Sequence, residues 1–149
     1  MKQTIYLDTS VPSAYYDDRN LERQRQTREF WSNLANFDVF VSGLVLEEIG
    51  RFKNHSKKRL LLDLLEGVQV LSLTEESETL AGEYVKRGII PLKYRDDAVH
   101  IAVSVVHGMD YLVSWNFEHI VKVKTRRMVG LVDAEKGYKP IEIIAPPEL

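Results

Sequence analysis

Short runs of apolar and β-branched residues alternate along the chain with longer segments whose apolar residues recur at helical spacing. The runs predict five strands, at residues 4–8, 39–41, 68–73, 110–114 and 141–144. Prolines bracket the last run on both sides, which places it at an edge of the sheet. Strands that alternate with helices are typical of an α/β protein with a mainly parallel sheet.

The segments between these runs predict helices. One begins after residue 20 and becomes apolar at Phe30 and Trp31, and two more follow in succession over residues 44–52 and 57–67. Another helix begins at Thr74. Val11-Pro12 is interpreted as a break that ends the first strand. Apolar residues surround most of the segment 96–106, which indicates a helix buried in the core.

The composition is that of an ordinary folded protein. The chain has 149 residues, of which 44% are apolar and 28% charged, so neither a disordered chain nor a membrane protein is indicated. This length suits one domain, and we expect residues 1–149 to form it. Cysteine is absent, which excludes disulfide scaffolds, thiolate metal sites and cysteine nucleophiles and suits the reducing cytoplasm.

Charge and hydropathy narrow the class of partner. The amino terminus lacks a signal-peptide pattern, and no apolar run approaches the roughly 20 residues that span a bilayer. We therefore expect a cytoplasmic protein without membrane contact. The formal charge of -2 provides no global positive field for a nucleic acid, so an anionic partner would have to be bound by local clusters.

Three acids lie where α/β proteins place their ligands, beyond the carboxyl ends of strands or at a helix start. Asp8 ends the first predicted strand, and it is either a functional acid or a turn residue. Asp96 and Asp97 open the buried helix, where we expect one of them to cap it and compensate its dipole. Asp97 shares a helix face with His100, to which we assign a supporting role.

A fourth candidate acid lies in the helix after the second strand, where Glu47 and Glu48 are adjacent. Glu47 shares a row with Arg51, so it is expected to face water and pair with that cation. Glu48 shares a row with Leu44 and Phe52, which places its carboxylate beside the buried stripe. A half-buried acid needs donors or a cation to remain charged, and Glu48 is therefore the better site candidate.

Acids that converge from separate elements favour an oxygen-liganded cation. With no cysteine and no His-x-x-x-His spacing, the set suits Mg²⁺ or Mn²⁺ rather than zinc. Clustered carboxylates repel one another, and a metal ion would offset that cost. One and two metal ions remain alternatives.

Four short motifs together resemble the PIN domain family. They are Leu7-Asp8-Thr9-Ser10, Val41-Ser42 with Leu46-Glu47-Glu48-Ile49, Asp97-Ala98-Val99-His100-Ile101-Ala102, and Leu112-Val113-Ser114-Trp115-Asn116-Phe117-Glu118-His119. Each motif is weak alone, but their order and spacing extend over nearly the whole chain. The bacterial members most similar in length are the VapC-like ribonuclease toxins. The resemblance implies a three-layer α/β/α sandwich whose acidic pocket binds Mg²⁺ or Mn²⁺ and hydrolyses phosphodiester bonds in RNA.

The resemblance also implies roles for individual residues. Asp8 and Asp97 would bind the metal, and Glu48, six residues after Ser42, would position or deprotonate the attacking water. Asn116 completes the catalytic set at a position where many members have an acid; an amide can hold a ligand but cannot act as a base. We expect three residues to support this set, Ser10, Ser114 and His100. A small antitoxin protein and a homodimer are implied by the same resemblance.

Two basic clusters are candidates for RNA binding. The run 51–59 contains no acid and follows Glu48, and a second cluster between residues 122 and 127 follows Asn116. Either cluster alone is compatible with a solvated helix face. Because each follows a candidate site residue, we assign substrate binding to Arg51, Lys53, Lys122 and Lys124. Base stacking is assigned to Tyr15, Tyr16 or Trp115, of which Trp115 is equally compatible with the core.

Other enzyme classes fit less well. An aspartate-nucleophile phosphatase needs a second Asp two residues after Asp8, where this chain has Ser10. The acidic pair of a receiver domain and the Gly-rich loop of a nucleotide-binding fold are both absent. The serious alternative is a PIN-like module for RNA binding or protein interaction that cleaves slowly or not at all.

Overall fold

Five strands form one parallel sheet. The computed structural model describes residues 1–149. The strands, in the order β3-β2-β1-β4-β5, are β1 (Gln3–Leu7), β2 (Phe37–Ser42), β3 (Gln69–Leu71), β4 (Tyr111–Val113) and β5 (Glu142–Ile144). Every neighbouring pair is parallel, and the register places Leu7 opposite Val113. The five predicted strands and the edge position of the last one are thereby confirmed.

Helices cover both faces of this sheet. They are α1 (Ser10–Tyr15), α2 (Leu21–Ser32), α3 (Gly43–Gly50), α4 (His55–Leu64), α5 (Glu75–Lys86), α6 (Arg95–Val106) and α7 (Val123–Glu135). Three consecutive residues of β1, Ile5, Tyr6 and Leu7, are fully buried. Neighbouring residues of a strand point to opposite faces, so both faces must be packed. The predicted α/β/α sandwich is confirmed, and none of its helices has the length and apolarity needed to cross a membrane.

Two helices differ from the sequence predictions. The first strand does end before Val11-Pro12, as predicted, but helix α1, which was not predicted, begins at Ser10 and includes both residues. Pro12 lies in the first turn, where the missing amide hydrogen removes no helical hydrogen bond. Helix α7 was not predicted because its narrow buried face is interleaved with basic residues; that face consists of Thr125, Val129, Val132 and Asp133.

The strand order creates a crevice between β1 and β4. The chain adds β2 and β3 on one side of β1 and then returns to add β4 and β5 on the other. Such a switch in strand order opens a ligand crevice at the carboxyl ends of the strands. Asp8 follows β1 and Ser114 follows β4, so the two residues lie together at this switch point.

Candidate active site

Asp8 is a buried carboxylate fixed by two serines. Ser10 donates to its Oδ1 from the backbone nitrogen at 3.1 Å and from Oγ at 2.5 Å, and Ser114 Oγ donates to Oδ2 at 2.5 Å. Burial raises the pKa of Asp8, although His100 and both serine hydroxyls oppose that rise; the negative charge of Asp97 adds to it. The ionised form is therefore costly in the free protein, and a nearby cation would stabilise it.

Glu48 is anchored through one oxygen only. Its Oε1 accepts a hydrogen bond from Thr9 Oγ1 at 2.7 Å and lies 2.6 Å from His100 Nε2, so Oε2 is left without a hydrogen-bond partner. Burial alone would raise the pKa of Glu48, but the bonds from His100 and Thr9 hold it below its ordinary value, with help from Arg51. Glu48 is thus an ionised, half-buried acid with one oxygen available.

His100 is the group that the candidate acids share. It is 2% exposed, and its Nδ1 lies 2.7 Å from the Tyr6 hydroxyl. An ionised carboxylate can only accept hydrogen bonds, so Nε2 donates to Glu48. Burial alone would lower the pKa of His100, but the bond to Glu48 and the surrounding negative charge raise it. That charge comes from Asp8, Glu48 and Asp97.

Asp97 is held by a second histidine. Its Oδ2 lies 2.9 Å from His119 Nδ1, and the ring of His119 packs against Tyr94 with 4.2 Å between ring centres. Burial raises the pKa of Asp97, and the bond from His119 and the charge of His100 oppose that rise. Two of the candidate acids, Glu48 and Asp97, therefore each have one oxygen held by a histidine.

The neighbouring acids Glu47 and Asp96 face solvent. Arg51 lies between them, with a nitrogen 3.8 Å from Glu47 Oε2 and another 3.5 Å from Asp96 Oδ2. The predicted pair of Glu47 and Arg51 is confirmed. The expectation that Asp96 or Asp97 caps α6 is wrong, since no side chain caps this helix. Arg51, assigned to RNA binding from the sequence, is already paired with two carboxylates.

Asn116 organises the turn after β4. Its backbone nitrogen donates to Ser114 Oγ at 2.9 Å, and its side-chain Oδ1 accepts from the backbone nitrogen of His119 at 3.0 Å. The amide also makes a small contribution that lowers the pKa of Asp97. Asn116 thus links the serine that holds Asp8 to the histidine that holds Asp97.

Three residues of this arrangement carried no functional assignment in the sequence. Thr9 directly follows Asp8, and His119 follows Asn116 by three residues, a spacing typical of a side-chain turn. Both signals are weak and local. Tyr6 lies between Ile5 and Leu7 and resembles an ordinary core aromatic in the sequence, so its bond to His100 is visible only in the structure.

The remaining basic candidates lie at the surface and are in no ion pair. Lys53 lines a cleft of about 380 Å³ together with Ser13, Arg19, Phe52, Asn54 and Lys57. Lys122 and Lys124 are exposed at the start of α7. No hydrogen bond or ion pair joins them to the candidate acids. Trp115 is 7% exposed and belongs to the core, in line with the second of its two sequence interpretations.

Glu48 and Asp97 open into a shared cleft of about 310 Å³. Its other lining residues are Lys93, Tyr94, Arg95 and Asp96. A larger cavity of about 570 Å³ lies between α5 and the segment after α7 and contains none of the candidate acids. The smaller cleft, which includes charge of both signs beside the acids, is therefore the one that concerns the chemistry.

The donor set fits a hard cation by chemistry but not as a finished cage. Carboxylate and hydroxyl oxygens are the ligands that Mg²⁺ and Mn²⁺ prefer. As the side chains stand, no group of three or more His, Asp or Glu residues is arranged to hold a metal ion. Mg²⁺ is usually bound by one or two carboxylates, with water and substrate oxygens as its other ligands, which is compatible with the positions of these acids.

Comparison with known proteins agrees with this fold. The family model of the PIN domain matches residues 5–123. The sarcin-ricin loop cleaving toxin VapC20 of Mycobacterium tuberculosis is 19% identical, with 93% of this chain and 98% of that chain covered and a TM-score of 0.62. VapBC-1 from nontypeable Haemophilus influenzae is 16% identical, with 97% and 98% covered and a TM-score of 0.61.

A third similar structure is VapBC2 from Rickettsia felis bound to a DNA fragment from its promoter. It is 12% identical, with 96% of this chain and 98% of that chain covered and a TM-score of 0.57. Identities this low establish a shared fold. No curated protein sequence matches the chain.

Proposed function

The chain belongs to the PIN domain family, and we propose that it is a divalent-metal-dependent endoribonuclease, the toxin of a type II toxin-antitoxin pair. One observation carries the proposal. Three acids from separate elements lie near the buried His100 at the carboxyl edge of the sheet: Glu48 contacts its ring at 2.6 Å, and the negative charges of Asp8 and Asp97 also raise its pKa. The mutual repulsion of these carboxylates destabilises the free protein, and a bound cation would compensate that repulsion.

We assign metal binding to Asp8 and Asp97. Both carboxylates have a pKa raised mainly by burial, so both gain from a positive charge nearby. Bound Mg²⁺ or Mn²⁺ would polarise the scissile phosphate, lower the pKa of a water molecule and neutralise charge that develops in the transition state. Ser10 and Ser114 orient Asp8, and His119 orients Asp97.

We assign the handling of the attacking water to Glu48. Its lowered pKa keeps the carboxylate ionised at neutral pH, and its unbonded Oε2 is available to accept a proton from water. Thr9 and His100 hold the carboxylate by Oε1 and so restrict its rotation. The resulting reaction is hydrolysis of an RNA phosphodiester bond.

Partners and setting follow from the family. VapC20 is a sarcin-ricin loop cleaving toxin, and the VapBC structures provide the model for a small antitoxin partner. By analogy we propose an RNA substrate, an antitoxin and a homodimer for this chain. We further propose that residues 1–149 act as one cytoplasmic domain.

An RNA cleavage assay tests the proposal. The purified protein is incubated with structured and single-stranded RNAs and Mn²⁺ or Mg²⁺, beside a chelator control and an Asp8→Asn variant. We expect cleavage that the chelator and the substitution each abolish. Cleavage that survives both would contradict a metal nuclease built on Asp8.

A PIN-like module for RNA binding or protein interaction is the second candidate. It is favoured by Asn116, whose amide oxygen already accepts a hydrogen bond from His119, and by the absence of a preformed ligand set. Specific RNA binding without cleavage of any RNA under either metal would favour this module over the enzyme.

A further inference from the structure

The guanidinium group of Arg23 lies over two aromatic rings beside the candidate active site. The guanidinium carbon of Arg23, on α2, lies 4.8 Å from the ring centre of Trp115 and 5.9 Å from that of Phe117. The Arg23 side chain is in no ion pair and no hydrogen bond. By contrast, Arg25 on the same helix is paired with Glu22 and Glu29. The Arg23 charge is therefore uncompensated by any carboxylate.

The arrangement that holds Arg23 is rigid. Thr27, one turn further along α2 and fully buried, donates from Oγ1 to the Arg23 carbonyl at 2.7 Å. The same Oγ1 accepts a hydrogen bond from Trp115 Nε1 at 2.9 Å. The helix turn that carries the guanidinium and the ring beneath it are thus joined through one hydroxyl, which reduces the entropy lost when a ligand binds.

The same ring is tied directly to the candidate acids. The backbone nitrogen of Trp115 donates to Ser10 Oγ at 2.8 Å, and Ser10 Oγ donates to Asp8. Asn116 is the next residue in the chain. Phe117 is 49% exposed, so one part of its ring remains free. An unpaired cation and a free aromatic surface therefore lie at one margin of the acidic site.

We propose that Arg23 binds a phosphodiester group of single-stranded RNA at the active site and that Phe117 supports the adjoining unpaired base. This subsite rests on the proposed ribonuclease function. A guanidinium that stacks through its face keeps its N–H donors free for bidentate contact with phosphate oxygens. Exposed aromatic rings bind unpaired bases by stacking. A carboxylate-bearing peptide would use only the cation, so the pair favours a nucleotide.

Arg23 lies outside both basic clusters that the sequence analysis singled out. It stands within the polar start of α2, beside Glu22. Nothing in that context distinguishes it from the other arginines of the helix. Its distinguishing features are the two rings supplied by residues more than ninety positions later, Trp115 and Phe117.

Salt-dependent RNA binding tests the subsite without any cleavage. The full chain is titrated against a fluorescently labelled single-stranded oligoribonucleotide in chelator, and anisotropy is followed at several salt concentrations. Arg23→Gln is compared with Arg28→Gln, a matched control on the same helix. Arg28 also lies over a ring, that of Tyr15, at 4.9 Å. The control therefore removes the same charge and a comparable aromatic contact, together with one hydrogen bond that Arg23 lacks, from Arg28 Nε to the Tyr15 carbonyl at 3.0 Å.

We expect Arg23→Gln to weaken RNA affinity about tenfold or more, as for loss of a charged hydrogen bond. The slope of log affinity against log salt should fall by about 0.7, the contribution of one phosphate contact to a single strand. Arg28→Gln should leave that slope unchanged. Arg23→Lys should keep the slope and lose affinity, because lysine retains the positive charge but not the paired N–H donors of the guanidinium group. Phe117→Leu should also keep the slope and lose affinity, because it removes only the stacking surface.

Several results would overturn the subsite. They are an unchanged slope in Arg23→Gln, equal slope changes in both glutamine variants, no RNA binding by the wild type, or tighter binding of a glutamate-rich peptide than of RNA. Thermal melting checks that each variant is folded. If Arg23→Gln does not fold, the RNA affinities of Arg23→Lys and Arg28→Lys replace the slope comparison, and equal affinities of the two lysine variants would overturn the subsite. Cleavage with Mn²⁺ is measured separately. A wild type that binds through Arg23 but never cleaves supports the subsite and contradicts the nuclease, whereas a cleaving wild type with an unaffected Arg23→Gln contradicts the subsite alone.

Discussion

Glu48 Oε1 lies 2.6 Å from His100 Nε2, and this contact joins α3 to the buried helix α6. The pKa of the histidine is raised and that of the glutamate is lowered, the two directions expected of a charged pair. The pair has a structural role, in which it joins the two helices, and a proposed chemical role, in which it orients Glu48 Oε2. Substitutions can separate these two roles.

Glu48→Gln keeps the shape of the side chain but replaces the charged partner of His100 by a neutral one. We expect a loss of stability of about 1–3 kcal/mol, measured by urea denaturation, and a loss of RNA cleavage of at least about 100-fold, as for removal of a general base. Glu47→Gln is the matched control, since Glu47 is the adjacent exposed acid. Equal cleavage rates in the two variants would exclude a role for Glu48 in the reaction.

Removal of charge at Asp8 should separate stability from metal binding. Because burial raises the pKa of this carboxylate, Asp8→Asn is expected to leave the melting temperature in chelator equal to or above that of the wild type. Active-site residues often show this trade-off. Mn²⁺ at saturating concentration should raise the melting temperature of the wild type through linkage and have a much smaller effect on Asp8→Asn.

The control for that experiment is Asp63→Asn, which removes an exposed acid of α4 that does not line the cleft of Glu48 and Asp97. It should respond to Mn²⁺ as the wild type does. A melting temperature that Mn²⁺ leaves unchanged in the wild type would contradict metal binding at these acids, independently of any nuclease assay.

Ser114 is expected to be important for both the shape and the stability of the site. Its hydroxyl donates to Asp8 Oδ2 and accepts from the Asn116 backbone nitrogen, and it is fully buried. Ser114→Ala removes one donor to a buried carboxylate, which should cost about 1–3 kcal/mol of unfolding free energy by denaturant titration. The loss should be smaller in an Asp8→Asn background, and fully additive effects would argue against direct coupling of the two residues.

Asp133 gives the protein a pH-dependent stability that is unrelated to the candidate site. Its Oδ1 accepts from Tyr84 at 2.5 Å, whereas Oδ2 is buried with no partner. Burial raises the pKa of Asp133 from 3.8 to about 6, with the Tyr84 bond opposing the rise. The folded protein thus holds this proton more tightly than the unfolded chain, so the contribution of Asp133 to stability falls as pH rises from about 4 to 6.

Asp133→Asn should therefore raise the unfolding free energy at pH 7, by up to about 3 kcal/mol for a shift of two pKa units. The advantage should shrink towards pH 4. Urea denaturation of the wild type and the variant across this range measures it, with the exposed helix residue Asp63 changed to Asn as the control. Parallel stability curves for the wild type and Asp133→Asn would contradict the buried ionisation.

The sheet was predictable because parallel strands are buried on both faces and therefore appear as short apolar runs. Asp8 and Asp97 were chosen as candidates because they lie at a strand end and a helix start, and Asp97 was preferred to Asp96 because it shares a face with His100 and fits the motif of the PIN domain family. Glu48 was separated from Glu47 by helical periodicity alone. These inferences needed no knowledge of distant contacts.

Partners from distant segments were not predictable. Thr9 meets Glu48 across 39 residues and His119 meets Asp97 across 22, and neither contact leaves a periodic signal in the sequence. The capping role expected of Asp96 or Asp97 was wrong for the same reason. Both side chains contact distant residues, Asp96 with Arg51 and Asp97 with His119. Helix α7 was not predicted because apolar residues at every third or fourth position are difficult to recognise within a run of basic residues.

The separation of 106 positions in sequence between Asp8 and Ser114 has a consequence for synthesis of the protein. Domains begin to form from the amino terminus as the chain is made, and β1, β2 and β3 are available early. Strand β4 and the turn that carries Ser114, Asn116 and His119 are translated after them. A nascent fragment that ends before this turn lacks Ser114 and His119, which hold Asp8 and Asp97, so the proposed activity would arise only after the turn has been translated.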